Sequence, residues 1–315
     1  MIAIVEFHLL HFSLLMLKTR VLTAALLFAL FLAALFWLPF RYWAALTTLA
    51  TVVAAWEWAA LAGVASRGRF MFAAIVLLAC LWITLDAVGM LELEARFWAR
   101  LLIMNAFIFL WAPAALFWCL VVPFWLWRRW PLNRNIWGRG LLLLLGFFLI
   151  LATWSLLCFF PYGVSRGFLL WLLGIVWVSD ISAYFAGRRF GGKKLAPRIS
   201  PGKTWAGVYG ALAGVLLYWA ATTACLTMMD DIRDIAVKTM HPLVLLSFML
   251  FLAVIGILGD LFESLLKRQA GVKDSGNLLP GHGGALDRID SLMAVLPCAA
   301  WLFFALLVFL YLDLG

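Results

Sequence analysis

Two polar segments carry most of the residues that could do chemistry in this chain. The first extends from Asp180 to Thr204 and holds six basic residues within 16 positions, interleaved with glycines. Arginine holds phosphate through paired donors and lysine acts as a point charge, so this segment suits a triphosphate or a lipid phosphate. The alternative is a basic cluster that contacts anionic lipid beside a membrane span. A P-loop is excluded, because Pro197 stands where that motif needs glycine and the segment follows an apolar span instead of a strand.

The second polar segment runs from Gly259 to Asp290 and combines carboxylates, lysines, a histidine and glycines. Carboxylate oxygens with open positions are the ligands that Mg²⁺ takes when it also binds substrate phosphates. Asp287 and Asp290 lie one turn apart, where matching of the helix dipole is the simpler interpretation. Four polar residues are spaced i, i+3, i+4 and i+7 and therefore share one helical face: Asp260, Glu263, Ser264 and Lys267.

Other ionisable residues need separate interpretations. His282 lies between glycines, which favours hydrogen bonding or phosphate contact over metal ligation and leaves general acid–base catalysis as an alternative. A charge within a membrane span costs about 2.5–3.5 kcal/mol, so each such residue is a functional candidate. For Glu57 a structural role is favoured over substrate contact, and for Asp86 a role in helix pairing or at the interface.

The rest of the chain indicates a membrane as the surrounding solvent. Apolar residues make up 67% of the 315 residues, charged residues 12%, and mean hydropathy is +1.06. A soluble domain is about 45–50% apolar and about 25% charged. The 18 tryptophans and 26 phenylalanines suit membrane interfaces, and the five cysteines lie singly in apolar runs. A soluble protein is therefore excluded.

Apolar windows predict an all-α, polytopic membrane protein with about nine transmembrane helices. Residues 1–15 are either an N-terminal extension or an interfacial segment. Residues 16–315 form a single membrane domain, with N-terminal spans in 16–165 and catalytic spans and loops in 166–315. The fourth span contains Pro113 and Pro123, which predicts an irregular helix. The nine spans are Val21–Phe40, Tyr42–Ala62, Phe70–Leu91, Leu101–Trp127, Leu141–Phe160, Phe168–Ala186, Trp205–Leu226, Leu243–Phe262 and Leu292–Leu312.

The distribution of positive charge predicts how the spans are oriented. One set of alternating loops holds 18 of the 24 lysines and arginines, including those of both polar segments, and the other set holds six. The basic set is expected in the cytoplasm by the positive-inside rule. Both polar segments, and with them the functional site, are therefore expected at the cytoplasmic face.

At these residues the sequence resembles the phosphatidate cytidylyltransferase (CDP-diacylglycerol synthase) family. The first polar segment matches the family from Asp180 through Tyr184 and Arg188 to Thr204. The strong resemblance covers about residues 180–290. The family pattern of Ser, Lys-Arg, Lys-Asp and a closing His-Gly-Gly-x-x-Asp-Arg-x-Asp is matched by Ser264, Lys267, Arg268, Lys273, Asp274, Pro280, His282, Gly283, Gly284, Asp287, Arg288 and Asp290.

The resemblance implies that the chain transfers the cytidylyl group of CTP to phosphatidic acid in phospholipid biosynthesis. Asp260 and Asp287 would bind Mg²⁺ with a companion cation such as K⁺, with Asp274 and Asp290 in support. The implied catalytic residues are Asp260, Asp287, Lys267, Asp290 and His282. The implied substrate-binding residues are Arg188, Lys193, Ser200, Pro201, Lys203, Thr204, Arg268, Lys273, Asp274, Gly283, Gly284, Arg288, Asp180 and Tyr184.

The resemblance also implies a bacterial inner membrane protein with a polar funnel at its cytoplasmic face, no nucleic-acid partner, and a homodimer. Ala206 and Ala285 depart from the family pattern, where a Glu or Gln and a larger aliphatic residue are expected. Two alternatives therefore stay open: a related lipid nucleotidyltransferase or kinase with another acceptor, and a weakly active lipid-binding paralogue. A transporter is disfavoured, because the acids cluster at span ends beside basic loops and no internal repeat is evident.

Overall fold

The computed structural model describes residues 25–26, 28–92, 107–128, 135–228, 241–276 and 283–313. The chain divides into two compact units, residues 1–45 and 46–315. The second unit holds every described residue of the predicted site. The helices are α1 (Phe28–Trp37), α2 (Phe40–Leu61), α3 (Ser66–Glu92), α4 (Ala112–Leu116), α5 (Val122–Arg128), α6 (Ile136–Phe160), α7 (Arg166–Phe190), α8 (Trp205–Met228), α9 (Pro242–Gln269) and α10 (Leu286–Asp313).

The described helices coincide with the predicted spans, which confirms the all-α class. Seven segments of the described chain are long and apolar enough to cross a membrane. One of them, Ile136–Phe190, contains both α6 and α7, which meet at a π-helical turn, Pro161–Ser165. The helices α6 and α7 are each 25 residues long, or about 37 Å, which is sufficient to cross a bilayer core. The number of nine crossings stays a prediction.

The fourth predicted span is irregular because of its prolines. Two π-helical turns, Phe107–Trp111 and Phe117–Val121, come directly before α4 and α5. Pro113 and Pro123 are the second residues of those two helices. A proline ring displaces the carbonyl of residue i−4 and removes one donor, which widens the preceding turn.

Several tryptophans join helices in the interior of the second unit instead of lying at an interface. The buried Trp58 donates its indole N–H to the carbonyl of Leu142 at 2.8 Å. The buried Trp111 donates to the hydroxyl of Ser155 at 2.9 Å. An indole has one donor and needs a partner when it is buried. The tryptophan count therefore reflects interhelical hydrogen bonding as well as membrane anchoring.

Small residues let α7 and α8 pack closely beneath the first polar segment. A Cβ at Gly207 would lie 3.1 Å from the carbonyl oxygen of Ala183. A Cβ at Gly210 would lie 2.8 Å from the carbonyl oxygen of Ser182 and would also contact Ala186. Small residues that bring backbones together are a general means of helix association in membranes.

Substitution of Gly210 by alanine is expected to lower the melting temperature in detergent. The added methyl group must displace α7 or α8, and overpacking of this kind typically costs about 1–3 kcal/mol. Gly140→Ala in α6 is the matched control, because nothing lies within 4 Å of a Cβ built there. Equal melting temperatures for the two variants would contradict the close packing of α7 on α8.

The first polar segment folds into a β-hairpin, which the sequence did not predict. Strands β1 (Lys194–Ala196) and β2 (Ser200–Thr204) pair antiparallel. The hairpin is tied to the end of α9, where Arg268 Nε donates to the carbonyl of Ile199 at 3.3 Å. The two polar segments therefore lie at the same end of the helices, as the charge pattern predicts.

Candidate active site

A cavity of about 750 Å³ opens between α7, the hairpin, α8 and α9. Its volume falls within the usual range of ligand pockets. The cavity thus unites residues of both polar segments in one space. Six of its lining residues were predicted from the sequence to be site residues: Asp180, Tyr184, Arg188, Lys203, Thr204 and Asp260.

Carboxylates surround a lysine in this cavity. Lys203 Nζ lies 2.5 Å from Asp260 Oδ2, and Ser264 Oγ donates to Asp260 Oδ1 at 3.3 Å. Asp180 and Asp290 both interact electrostatically with Asp260 and with Lys203. The cluster therefore carries more negative than positive charge. Such a cluster attracts cations.

Close packing of α9 on α10 brings two of these carboxylates together. A Cβ at Gly259 would lie 2.8 Å from the carbonyl oxygen of Asp290 and 3.3 Å from Cα of Ser291. Only glycine allows this approach, which places the neighbouring Asp260 beside Asp290. Asp290 Oδ1 also accepts a hydrogen bond from the Ser291 N–H at 2.7 Å.

The basic wall of the cavity contains two cations among the described lining residues, Arg188 and Lys203. Arg188 Nη1 donates to the Tyr184 hydroxyl at 2.9 Å, which orients the guanidinium. Thr204 is buried and accepts from the Gly207 N–H at 3.1 Å. Its hydroxyl therefore caps the start of α8, a structural role beside the predicted substrate contact.

A second charged cluster lies where α9 meets the start of α10. Lys267 Nζ lies 2.5 Å from Glu263 Oε2 and 2.6 Å from Asp287 Oδ1. All three side chains are at most 12% exposed. One ammonium group thus pairs two buried carboxylates, and each of the three charges depends on the others.

The other oxygen of Asp287 is held by the loop before α10. Asp287 Oδ2 accepts from the N–H and the hydroxyl of Ser275, at 3.0 and 2.9 Å, and from the Gly284 N–H at 2.8 Å. Gly283 has φ +79°, and a Cβ there would lie 2.6 Å from the same oxygen. In this structure the two glycines bring the backbone close to Asp287; their predicted contact with substrate stays a prediction.

The donor chemistry of the site fits Mg²⁺. Within the described ranges, no three Asp, Glu, His or Cys side chains converge on one metal position. Mg²⁺ does not require such a cage, since it commonly takes one or two carboxylates together with waters and substrate phosphates. Asp260 offers a hard oxygen that already faces the Lys203 ammonium on the cavity side. Asp287 is not among the described lining residues of this cavity, and its two oxygens are engaged here by Lys267 and by Ser275 and Gly284.

Several predicted site residues lie outside these two clusters. His282 falls outside the described residues. Arg268 contacts backbone carbonyls of Ile199 and Val272. The remainder lie on the hairpin and its approach or are exposed near α10: Lys193, Ser200, Pro201, Lys273, Asp274 and Arg288.

Three residues near the site were absent from the predicted set. Glu263 shares a helical face with Asp260 and Lys267, a spacing that the sequence already showed. Glu57 was noted as a charge within a span, without an assigned contact. Ser275 gave no signal, because nothing in a local pattern distinguishes this serine from other loop serines.

Comparison with known proteins agrees with this geometry. The chain matches the cytidylyltransferase family over residues 18–307. It is 36% identical over 295 residues to a phosphatidate cytidylyltransferase of Pseudomonas aeruginosa, covering 92% of this chain and 98% of the relative. The corresponding protein of Haemophilus influenzae is 36% identical over 316 residues, covering 93% and 100%. One from Thermotoga maritima is 40% identical over 153 residues, covering 47% and 54%. This chain therefore belongs to the cytidylyltransferase family.

Proposed function

We propose that this integral membrane protein transfers the cytidylyl group of CTP to phosphatidic acid, which gives CDP-diacylglycerol and pyrophosphate. The observation that carries the proposal is full-length similarity to two phosphatidate cytidylyltransferases. The cavity supports it, because it combines cations suited to phosphates with carboxylates suited to a metal.

In this reaction a phosphate oxygen of phosphatidic acid attacks the α-phosphorus of CTP. A new P–O bond forms, the bond to the bridging oxygen of the β-phosphate breaks, and pyrophosphate leaves with the electron pair. The nucleophile is already anionic, so no strong general base is required. The main barriers are repulsion between anions and the charge of the leaving group. Lys203 and Arg188 lie in the cavity where they can hold phosphate oxygens and lower both barriers.

Asp260 and Asp287 would hold Mg²⁺, with Asp290 close to Asp260 and a companion cation such as K⁺ in the same surroundings. The metal ion would supply charge neutralisation at the phosphates. Lys267 orients Asp287 through their ion pair. The Ser264 hydroxyl orients Asp260 by donating a hydrogen bond to it.

We place the active site at the cytoplasmic face of a bacterial inner membrane. The basic hairpin and the loop after α9 lie at one end of the helices, and positive loops favour the cytoplasm. CTP would then enter from water and phosphatidic acid sideways from the bilayer, through a polar funnel that opens to both. The homodimer stays a prediction.

The decisive assay follows transfer of label from [α-³²P]CTP into lipid by purified protein in mixed micelles. We expect labelled CDP-diacylglycerol only when phosphatidic acid and Mg²⁺ are both present. Diacylglycerol and polyprenyl phosphate serve as alternative acceptors. Incorporation of label into lipid only when one of these acceptors replaces phosphatidic acid would contradict the proposal and identify a related lipid enzyme.

A further inference from the structure

Among the residues whose burial the structure describes, Glu57 is the most deeply buried carboxylate outside the two clusters described above. Its side chain is 4% exposed and belongs to α2, in the half of the chain that lacks the catalytic motifs. A carboxylate within a span costs about 2.5–3.5 kcal/mol unless it is compensated. The partners of Glu57 therefore indicate what it does.

The described partners of Glu57 lie in the loop between α9 and α10 and at the first residue of α10. Glu57 Oε1 accepts from the Ala285 N–H at 3.1 Å. Glu57 Oε2 accepts from the Leu286 N–H at 2.8 Å and from the Ser275 hydroxyl at 2.9 Å. More than 200 residues separate Glu57 from each partner along the chain. This carboxylate thus joins the N-terminal part of the chain to the catalytic part.

Two of these bonds satisfy backbone N–H groups at the start of α10. The first N–H groups of a helix have no partner within the helix and carry partial positive charge. A local Ser, Thr, Asp or Asn usually accepts from them. Here the residue before Leu286 is Ala285, which has no acceptor in its side chain. Glu57 supplies a charged acceptor from another helix in its place.

Asp287, the residue after Leu286, shares a hydrogen-bond donor with Glu57. The Ser275 hydroxyl lies 2.9 Å from both Glu57 Oε2 and Asp287 Oδ2. A hydroxyl has a single hydrogen, so it donates to one of the two carboxylates at a time. A change at Glu57 therefore alters the hydrogen bonding of Asp287, although no direct bond joins them.

The glycines of this loop fit around Glu57. A Cβ at Gly276 or Gly284 would collide with the Glu57 carboxylate, and the one at Gly284 would also meet the Ser275 hydroxyl. The backbone can surround the carboxylate only because these side chains are absent. Burial, three donors and two glycine contacts thus indicate that the loop packs specifically around the Glu57 carboxylate.

We propose that Glu57 is a positioning residue for cytidylyl transfer: it caps α10 from α2 and so fixes the carboxylate of Asp287. The inference rests on the proposed function for its catalytic consequence. The capping itself is independent of it. Glu57 acts through the backbone of the loop and through Ser275.

The test compares Glu57→Gln with Thr51→Val, which replaces a different buried polar residue of α2. Hydrogen–deuterium exchange is followed at the amides of Ser275, Ala285 and Leu286 and in the hairpin peptide. In Glu57→Gln we expect exchange in the loop to accelerate about tenfold or more, with hairpin exchange unchanged. Changes in the supporting partners of metal sites typically cost about 10- to 100-fold in activity or metal affinity. We therefore expect a lower kcat and a higher Mg²⁺ requirement, with little change in KM for CTP.

The outcomes separate this inference from the proposed function. The role of Glu57 would be overturned if Glu57→Gln exchanged at the wild-type rate in the loop and kept a kcat within about threefold of wild type, instead of the expected 10- to 100-fold loss. Faster exchange throughout the chain would overturn it too, since that indicates global destabilisation. Wild-type protein without transfer to phosphatidic acid would refute the proposed function, and exchange would still decide the capping. If Glu57→Gln does not fold, Glu57→Asp, which keeps the charge but shortens the reach, is judged by the same criteria.

Discussion

Replacement of Lys267 by methionine is expected to abolish cytidylyl transfer and to destabilise the protein by about 3–5 kcal/mol. The lysine ammonium pairs Glu263 and Asp287, at 2.5 and 2.6 Å, where all three groups are nearly excluded from solvent. Methionine preserves most of the volume and leaves two buried carboxylates facing each other. Thermal unfolding in detergent measures the stability, and incorporation of labelled CTP into lipid measures the activity.

A second substitution separates the two effects of Lys267. The double variant Lys267→Met, Glu263→Gln removes the charge of Glu263, whose buried oxygens have no hydrogen-bond partner among the described residues apart from the ion pair with Lys267. We expect part of the lost stability to return, and activity to stay absent because Asp287 is still without its cation. Arg139→Ala in α6 is the control, since Arg139 is an exposed cation outside both charged clusters. A wild-type melting temperature for Lys267→Met would contradict the paired cluster.

The helical architecture was predictable because membrane spans are defined by length and hydropathy. The helices α7, α9 and α10 extend beyond the predicted spans into stretches that contain charged residues. The extension of α9 to Gln269 matters most, because it carries Lys267 on the helix. Hydropathy windows end where charge begins, whereas a helix continues as long as its backbone and side chains find partners.

The contacts along one helical face of the candidate site were predictable from local spacing. The four-residue face from Asp260 to Lys267 follows from the helical period, and its contacts are present: Ser264 with Asp260, and Glu263 with Lys267. Long-range pairs could not be predicted in this way. Nothing in the sequence shows that Lys203 meets Asp260, because that contact depends on the hairpin fold.

The role of the loop glycines illustrates a further limit of sequence reasoning. A glycine-rich stretch beside carboxylates and lysines suggests backbone contact with a phosphate. In the structure, Gly283 and Gly284 lie against Asp287, and Gly284 also lies against Glu57. The same property, absence of a Cβ, serves both purposes. Only the position of a distant helix, α2, reveals what the backbone approaches.

Asp260→Asn is expected to lower kcat about 10²- to 10³-fold, an effect of the size found when one preorganised electrostatic group is removed. Asparagine keeps the shape of the side chain and removes the charge that faces Lys203. The matched control is Asp313→Asn, at the opposite end of α10 from Asp287. The control loses the same charge about 40 Å along the helix from the site and should retain wild-type activity. Steady-state kinetics at varied CTP and Mg²⁺ measure the effect.

Kinetics also distinguish two roles of Asp260. If it binds Mg²⁺, the Mg²⁺ requirement of Asp260→Asn rises and that of Lys203→Met does not. If it only orients Lys203, the two variants share a raised KM for CTP and an unchanged Mg²⁺ requirement. The second result would contradict the assignment of Asp260 as a metal ligand.

Asp260→Asn should lower the activity without lowering the thermal stability of the protein. Asp180, Asp260 and Asp290 repel one another around Lys203, so removal of one charge relieves repulsion that the fold otherwise sustains. We expect a melting temperature equal to or above that of the wild type, in contrast to Lys267→Met. Functional sites commonly retain such unfavourable charge because the reaction needs it. A large fall in melting temperature would instead indicate that the Asp260–Lys203 pair stabilises the fold more than the three carboxylates destabilise it.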